Sequence, residues 1–121
     1  MKDEEAIERA ALDYIEGWYQ GNAARMDRAL YTGLVKKRIT PEGEVWEVNK
    51  DWMVAATEGG RGRIEHPEKG QKDITILDMT ERMASIKIVS EKFIDYLHIV
   101  NDAGNWVIVN VLWDYKDQEM G

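Results

Sequence analysis

The chain has 121 residues, no cysteine and a formal net charge of −7 at neutral pH. This length suits one domain, residues 1–121, with its own core, and the lack of cysteine excludes disulfides, thiolate nucleophiles and cysteine-ligated metals. The acidic balance argues against nucleic acid as a partner, because phosphate binding requires concentrated Lys and Arg.

The N-terminal part predicts two helices. Apolar residues recur at helical spacing across residues 3–20, and charged residues occupy the other side. Gly21 suits the C-terminal cap of this helix, and Asn22 suits the N-cap of a second helix over 23–30. The apolar stripe of the first helix contains Ile7, Ala11, Tyr14 and Trp18.

Short strands and a small helix follow. Residues 34–40 and 44–48 predict strands around a Pro-Glu-Gly turn at 41–43. In the first of these strands, Leu34, Lys36 and Arg38 share one face. Asn49 is the predicted N-cap of a helix that ends at Gly59-Gly60. Residues 59–72, rich in glycine and charge, are expected to form a mobile loop.

The last third predicts a run of antiparallel strands. Residues 74–79 and 84–91 are two of them, and 93–100 and 106–113 form a hairpin around a Gly-containing turn. The strand 106–113 is apolar on both alternating faces except at Asn110, whereas a strand with one wet face alternates. Helices should therefore cover one face of the sheet and a second copy of the chain the other. The segregated helices and strands indicate an α+β fold.

This order of elements resembles the nuclear transport factor two-like superfamily, the cystatin-like or ketosteroid-isomerase-like cone. The chain is most similar to the group called "Putative lumazine-binding" proteins. The resemblance implies N-terminal helices packed in a strongly curved antiparallel sheet, with a cavity between them. Relatives often carry a His-Pro-Asp-like turn after the second helix, where this chain has Tyr31-Thr32-Gly33. The residues that carry the resemblance are 13–21 (DYIEGWYQG), 26–30 (MDRAL), 95–98 (DYLH) and 104–113 (GNWVIVNVLW).

Two strand residues are candidate catalytic bases. His98 can act as acid or base near neutral pH, although a histidine bonded in the core or at an interface is the commoner case. Asp95 among apolar neighbours could have a raised pKa and act as a base, but more often pairs with Lys or Arg. Strand alternation places the two on opposite faces, so only one can face the cavity.

Four further residues are candidate ligand contacts. Tyr14 could donate to a developing oxyanion and Trp18, one turn on, could floor the same cavity. Arg38 could meet an anionic ligand, and Asn110 needs partners within its apolar strand. Each also has an ordinary structural role as a core ring, a salt-bridged arginine or a bonded amide. The two histidines lack the spacing of a metal site, and no cofactor is predicted.

Three functions fit these residues. The favoured one is binding of a small molecule in a partly apolar cavity. The second is an acid/base enzyme of isomerase, dehydratase or cyclase type, with Asp95 or His98 as base and Tyr14 as donor. The third is a dimerisation module without ligand. In each case we expect a homodimer through the sheet. The N-terminus lacks a signal-peptide core and no apolar run approaches the roughly 20 residues of a membrane span, so we expect a cytoplasmic protein with no membrane partner.

Overall fold

A computed structural model describes residues 2–117 and shows helices packed on a six-stranded, curved and unclosed sheet. The fold class is α+β, as predicted. The helices are α1 (Lys2–Gln20), α2 (Ala23–Ala29) and α3 (Lys50–Glu58), and a 3-10 turn covers Pro67–Lys69. The strands are β1 (Leu30–Ile39), β2 (Val45–Val48), β3 (Lys72–Met79), β4 (Met83–Ser90), β5 (Phe93–Asp102) and β6 (Asn105–Tyr115).

Strand order in the sheet is β2-β1-β6-β5-β4-β3. Strands β3 to β6 form the predicted antiparallel meander, in which each strand pairs with the next. Strand β1 joins it by pairing with β6 in parallel, so the sheet is mixed. A run of hairpins cannot predict this pair, because β1 and β6 lie far apart in the chain.

The predicted helix caps at Gly21, Asn22 and Asn49 are confirmed. Gly21 has φ +67, the left-handed conformation of a C-terminal glycine. The side chain of Asn22 accepts the backbone N–H of Arg25, and that of Asn49 accepts the N–H of Trp52. These amide side chains each satisfy a donor that the first helical turn leaves free.

Strand β1 starts earlier than the predicted residue 34, directly where α2 ends. Leu30 already pairs with Ile108, and the register shifts before Val35 pairs with Asn110. The contact with β6 therefore extends the strand through residues 31–33, whose local sequence predicts no strand. Long-range pairing overrides weak local propensity here.

The core lies between α1 and the concave face of the sheet. Strand residues that face the helices are almost wholly buried, as are those on the inner side of α1. Burial of these apolar side chains is the main driving force of the fold. The largest fully buried side chains include Ile7, Met26, Leu34, Met53, Ile86, Ile88, Leu97, Ile99, Ile108 and Val111.

An ion network fastens α2 to α1. Buried Asp13 accepts hydrogen bonds from Arg25 and Arg28, each at 2.9 Å. Burial opposes ionisation of Asp13, but the bonds from Arg28 and Arg25 outweigh it and lower its pKa. Gly17 allows this close approach, because a Cβ there would lie 3.2 Å from the backbone nitrogen of Met26.

The segment after α3 runs back along α1. The N–H of Ile64 donates to the carbonyl of Tyr19 at 3.3 Å. Gly70 is buried, and a Cβ on it would lie 2.6 Å from the Tyr19 ring. These contacts hold two points of the segment, while the charged residues between them are exposed. Mobility of the segment stays a prediction.

Candidate functional site

Aromatic side chains from several elements surround a recess at one end of the sheet. Its volume is about 330 Å³. We call it the aromatic recess. It is lined by Trp18, Lys36, Arg38, Thr40, Trp46, Trp52, Arg61, Phe93, Trp113 and Tyr115.

The rings of the aromatic recess brace one another. Trp46 meets Trp52 and Trp113 edge-on, with ring centroids 5.2 and 5.5 Å apart. Phe93 meets Trp113 in the same way at 5.1 Å, and Tyr115 lies 5.3 Å from Trp113. Edge-to-face contacts of this kind are favourable beyond their buried area. Trp113 is thus the centre of a fixed aromatic wall.

All the charged side chains that line the recess are cationic. Lys36 and Arg38 project from β1 on the face that points toward the helices, as the alternation of Leu34, Lys36 and Arg38 predicts. Arg38 lies over the Tyr115 ring at 4.8 Å and donates to Asp114 at 2.7 Å. Arg61 lies over Trp52 at 5.1 Å. A ligand in the recess would therefore meet positive charge beside aromatic faces.

A chain of hydrogen bonds leads from the recess into the core. The Nζ of Lys36 donates to the Tyr14 hydroxyl at 2.7 Å, and this hydroxyl donates to Oδ2 of Asp95 at 2.6 Å. Tyr14 and Asp95 are 3% and 6% exposed, and neither lines the recess. Lys36 is the member of the chain that does.

Burial shifts the pKa of every member of this chain toward its neutral form. It lowers the pKa of Lys36, although the nearby charge of Asp95 opposes the shift. It raises the pKa of Asp95, which Lys36 and the bond from Tyr14 oppose. Burial and the charge of Asp95 together raise the pKa of Tyr14 well above 10.0. Shifts of this type are common at functional sites.

One polar group of the aromatic wall lacks a partner. The indole nitrogen of Trp113 is buried and has no hydrogen-bond acceptor within the described part of the chain. An unsatisfied buried donor costs about 1–3 kcal/mol. Because this N–H lies beside the recess, a bound molecule or an ordered water could accept its hydrogen bond after a small shift of the ring.

The predicted site residues divide between the two faces of the sheet. Asp95 faces the helices with Tyr14, and Trp18 and Arg38 line the aromatic recess. His98 and Asn110 lie opposite each other on the outer face, with Nδ1 of His98 2.9 Å from Oδ1 of Asn110. The placement of Asp95 and His98 on opposite faces agrees with strand alternation. Asn110, predicted to contact a ligand in the cavity, instead lies on the outer face, away from the aromatic recess.

His98 borders a larger depression, of about 660 Å³, on the outer face. Its lining includes Tyr31, Met83 and Val100 but none of the tryptophans, and Arg82 is its basic side chain other than His98. The depression also carries Asp78 and Asp102, whereas the smaller aromatic recess offers more rings and charge of a single sign in less space. On chemical grounds it is the better site for a small ligand.

Sequence reasoning missed several residues of the recess. The sequence pattern puts Lys36 on the face of Arg38 but indicates no role for it, and it indicates none for Trp46, Trp52, Arg61 and Trp113. The high number of tryptophans, five in 121 residues, was the signal available. It could not show which of them converge.

Residues 2–117 contain neither a metal-binding cluster nor a membrane-spanning helix. Within residues 2–117 no three His, Asp or Glu side chains are grouped to hold a metal ion. In the same range no helix combines the length and apolarity needed to cross a membrane.

Helices enclosed by a curved, unclosed sheet define the nuclear transport factor 2-like class, and solved structures of that class superpose on the chain. An NTF2-like protein of unknown function from Silicibacter pomeroyi DSS-3 has a TM-score of 0.77 at 15% identity, covering 95% of this chain and 97% of that one. An NTF2-like protein of unknown function from Methylobacillus flagellatus KT has a TM-score of 0.76 at 19% identity, and the match covers 95% of this chain and 93% of that one. A ketosteroid isomerase-like protein from Erwinia carotovora atroseptica SCRI1043 has a TM-score of 0.61 at 10% identity, and the match covers 93% of this chain and 95% of that one.

The sequence defines the family more narrowly. Residues 2–114 match the family described as "Putative lumazine-binding", and the chain belongs to it. No curated protein matches the chain. The superfamily and the group expected from the sequence are thereby confirmed, and the family supports a ligand-binding domain.

Proposed function

We propose that the protein binds a planar, electron-rich or anionic aromatic small molecule in the aromatic recess. The observation that carries this proposal is the convergence of six aromatic side chains and three cations on one recess of about 330 Å³. Aromatic walls with a few placed polar groups are typical of small-molecule sites.

The arrangement of the walls supports a flat ligand. Trp46, Trp52 and Trp113 hold one another nearly at right angles, so little rotamer freedom is lost when a ligand enters. Arg61 stands over Trp52, and Lys36 points its amino group toward Trp113. A carboxylate or ring carbonyl on the ligand could accept hydrogen bonds from these donors.

Lumazine has the chemistry that such a recess would take. It is a flat bicyclic heteroaromatic with two ring carbonyls, and the description of the family supports its use as a probe. Titration with lumazine should quench tryptophan fluorescence in a saturable way. A titration without saturation up to millimolar lumazine would argue against it as the ligand.

Arg61→Ala should weaken lumazine binding by about tenfold, because a charge-assisted hydrogen bond is lost with a cation–π contact to Trp52. The matched control is Arg63→Ala, an exposed arginine two residues on that does not line the recess. Isothermal titration calorimetry on both variants measures the difference. An equal loss of lumazine affinity in the two variants would show that the general charge of the segment, rather than the recess, attracts the ligand.

An acid/base enzyme is the second candidate, and the bond between Tyr14 and Asp95 at 2.6 Å favours it. A carboxyl with a raised pKa beside a hydroxyl donor is suited to proton transfer. Since neither group lines the recess, a substrate would meet the amino group of Lys36 first. The test is turnover of a carbonyl compound by the wild type and by Asp95→Asn. This function would be established if the substitution abolishes turnover without changing the affinity for the compound. His98, bonded to Asn110 on the outer face, would need a different substrate site.

We also propose that the protein is a homodimer through the outer face of the sheet. Large apolar side chains on this face are 39% to 60% exposed, although a strand surface facing water is normally polar. A second copy that covers them would bury about 1,200–2,000 Å² in total. The side chains are Tyr31, Val35, Leu77, Met83, Tyr96 and Leu112.

Leu112→Asp should convert the dimer to a monomer, because it places a charge in the middle strand of the apolar face. Light scattering at micromolar concentration measures the mass. The control is Ala55→Asp, which adds the same charge at an exposed position of α3. A wild-type monomer under these conditions would remove the proposal, as would a variant that remains dimeric.

A further inference from the structure

Lys36 and Lys37 are neighbours in β1 with opposite surroundings. Lys37 points outward and pairs with Glu47 at 3.4 Å. Lys36 points into the aromatic recess, where its Nζ lies 5.2, 5.8 and 5.5 Å from the ring centroids of Tyr14, Trp18 and Trp113. No carboxylate within residues 2–117 forms an ion pair with it.

A lysine that serves only as a charged anchor would be expected near a carboxylate or in open water. Here Asp95 reaches the amino group only through the Tyr14 hydroxyl. The other charged side chains that line the recess, Arg38 and Arg61, are cations and offer Lys36 no counter-charge. Burial lowers the pKa of Lys36, although the charge of Asp95 opposes this shift. An amine shifted toward its neutral form is a nucleophile.

We propose that the amino group of Lys36 captures an aromatic aldehyde or ketone in the aromatic recess as an imine. The inference rests on the proposed function, since the recess must first bind the aromatic part of the compound. Arg38 or Arg61 would hold an acidic group of that compound, and the rings would hold its plane.

The reaction balances without an oxidant or a reductant. The lone pair of Nζ attacks the carbonyl carbon, a C–N bond forms, and the π electrons of the carbonyl move to oxygen. A proton passes from nitrogen to oxygen, which gives a carbinolamine. Loss of water then forms the C=N bond. The Tyr14 hydroxyl, 2.7 Å from Nζ and backed by Asp95, is placed to relay these protons.

The test uses 4-carboxybenzaldehyde as the reactive probe and terephthalate as its unreactive analogue. The protein is incubated with the aldehyde and sodium cyanoborohydride, which reduces an imine to a stable secondary amine. Peptide mass spectrometry then locates the added group. We expect one group on Lys36 at a rate at least tenfold above that of Lys37, and competition by terephthalate.

Two variants control the result. Lys36→Arg keeps a cation but cannot form an imine, so it should lose the fast labelling. Lys37→Arg should label like the wild type. Equal labelling of Lys36 and Lys37 would overturn the inference.

The failures of the two proposals can be told apart. In one outcome, tryptophan quenching shows that terephthalate binds, but the aldehyde leaves no adduct on Lys36. This result overturns imine formation alone, and Lys36 is then a charged anchor. Absence of binding by terephthalate, together with unselective labelling, overturns the aromatic recess as an anion site and the inference with it.

Discussion

Asp95→Ala is expected to lower the free energy of unfolding at pH 7 by about 2–4 kcal/mol, a large part of the stability of a small domain. The alanine leaves the buried Tyr14 hydroxyl without its acceptor and removes the carboxylate whose charge acts on Lys36. Urea unfolding followed by circular dichroism measures the change. A loss below about 0.5 kcal/mol, the size of an ordinary surface substitution, would mean that the bond does not stabilise the core.

Asp95→Asn separates the hydrogen bond from the charge. Its amide oxygen can still accept from Tyr14, but it cannot ionise. Because burial raises the pKa of Asp95 above 3.8, the native state holds this proton more tightly than the unfolded chain. The stabilisation is fully present below about pH 4 and is lost as the pH rises through the native pKa. The stability of the wild type relative to Asp95→Asn should therefore fall as the pH rises from about 4 through the native pKa. A constant difference would contradict the raised pKa.

Local signals in the sequence predict most of the fold. The apolar stripe predicts helix α1, and the asparagine side chains predict the two N-caps. The hairpin pattern predicts β5 and β6, and its turn residues Ala103 and Gly104 both adopt positive φ. The parallel pair of β1 with β6 does not follow. It depends on which of several apolar strands lies beside β1, and no local pattern carries this information.

The candidate site is less predictable than the fold. Strand alternation correctly puts Asp95 and His98 on opposite faces, because the period of a strand is two. It does not show that Asp95 bonds to Tyr14, 81 positions earlier in the chain. Neither can it show that Trp46, Trp52 and Trp113 meet, since the curvature of the sheet brings their strands and helix together.

Gly62→Ala is expected to weaken binding in the aromatic recess by at least about tenfold, the effect of about 1.4 kcal/mol. A Cβ at this position would clash with the indole ring of Trp18, which lines the recess and faces Lys36. Either the ring or the segment that carries Arg61 must then move. Both contribute to the proposed site, so a shift of either changes its shape. Calorimetry with lumazine or terephthalate measures affinity, and near-ultraviolet circular dichroism reports the surroundings of the tryptophans.

Gly59→Ala is the matched control for this substitution. Gly59 begins the same segment in right-handed helical conformation, and a Cβ there would meet the Ala55 carbonyl at 3.4 Å, an ordinary contact. The two variants therefore add the same methyl group, and only Gly62→Ala reaches Trp18. If both keep wild-type affinity while the dichroism of Gly62→Ala changes, the Trp18 ring has moved without consequence for the ligand. Binding would then depend on the opposite wall around Trp113, and the recess would have to be redrawn without α1.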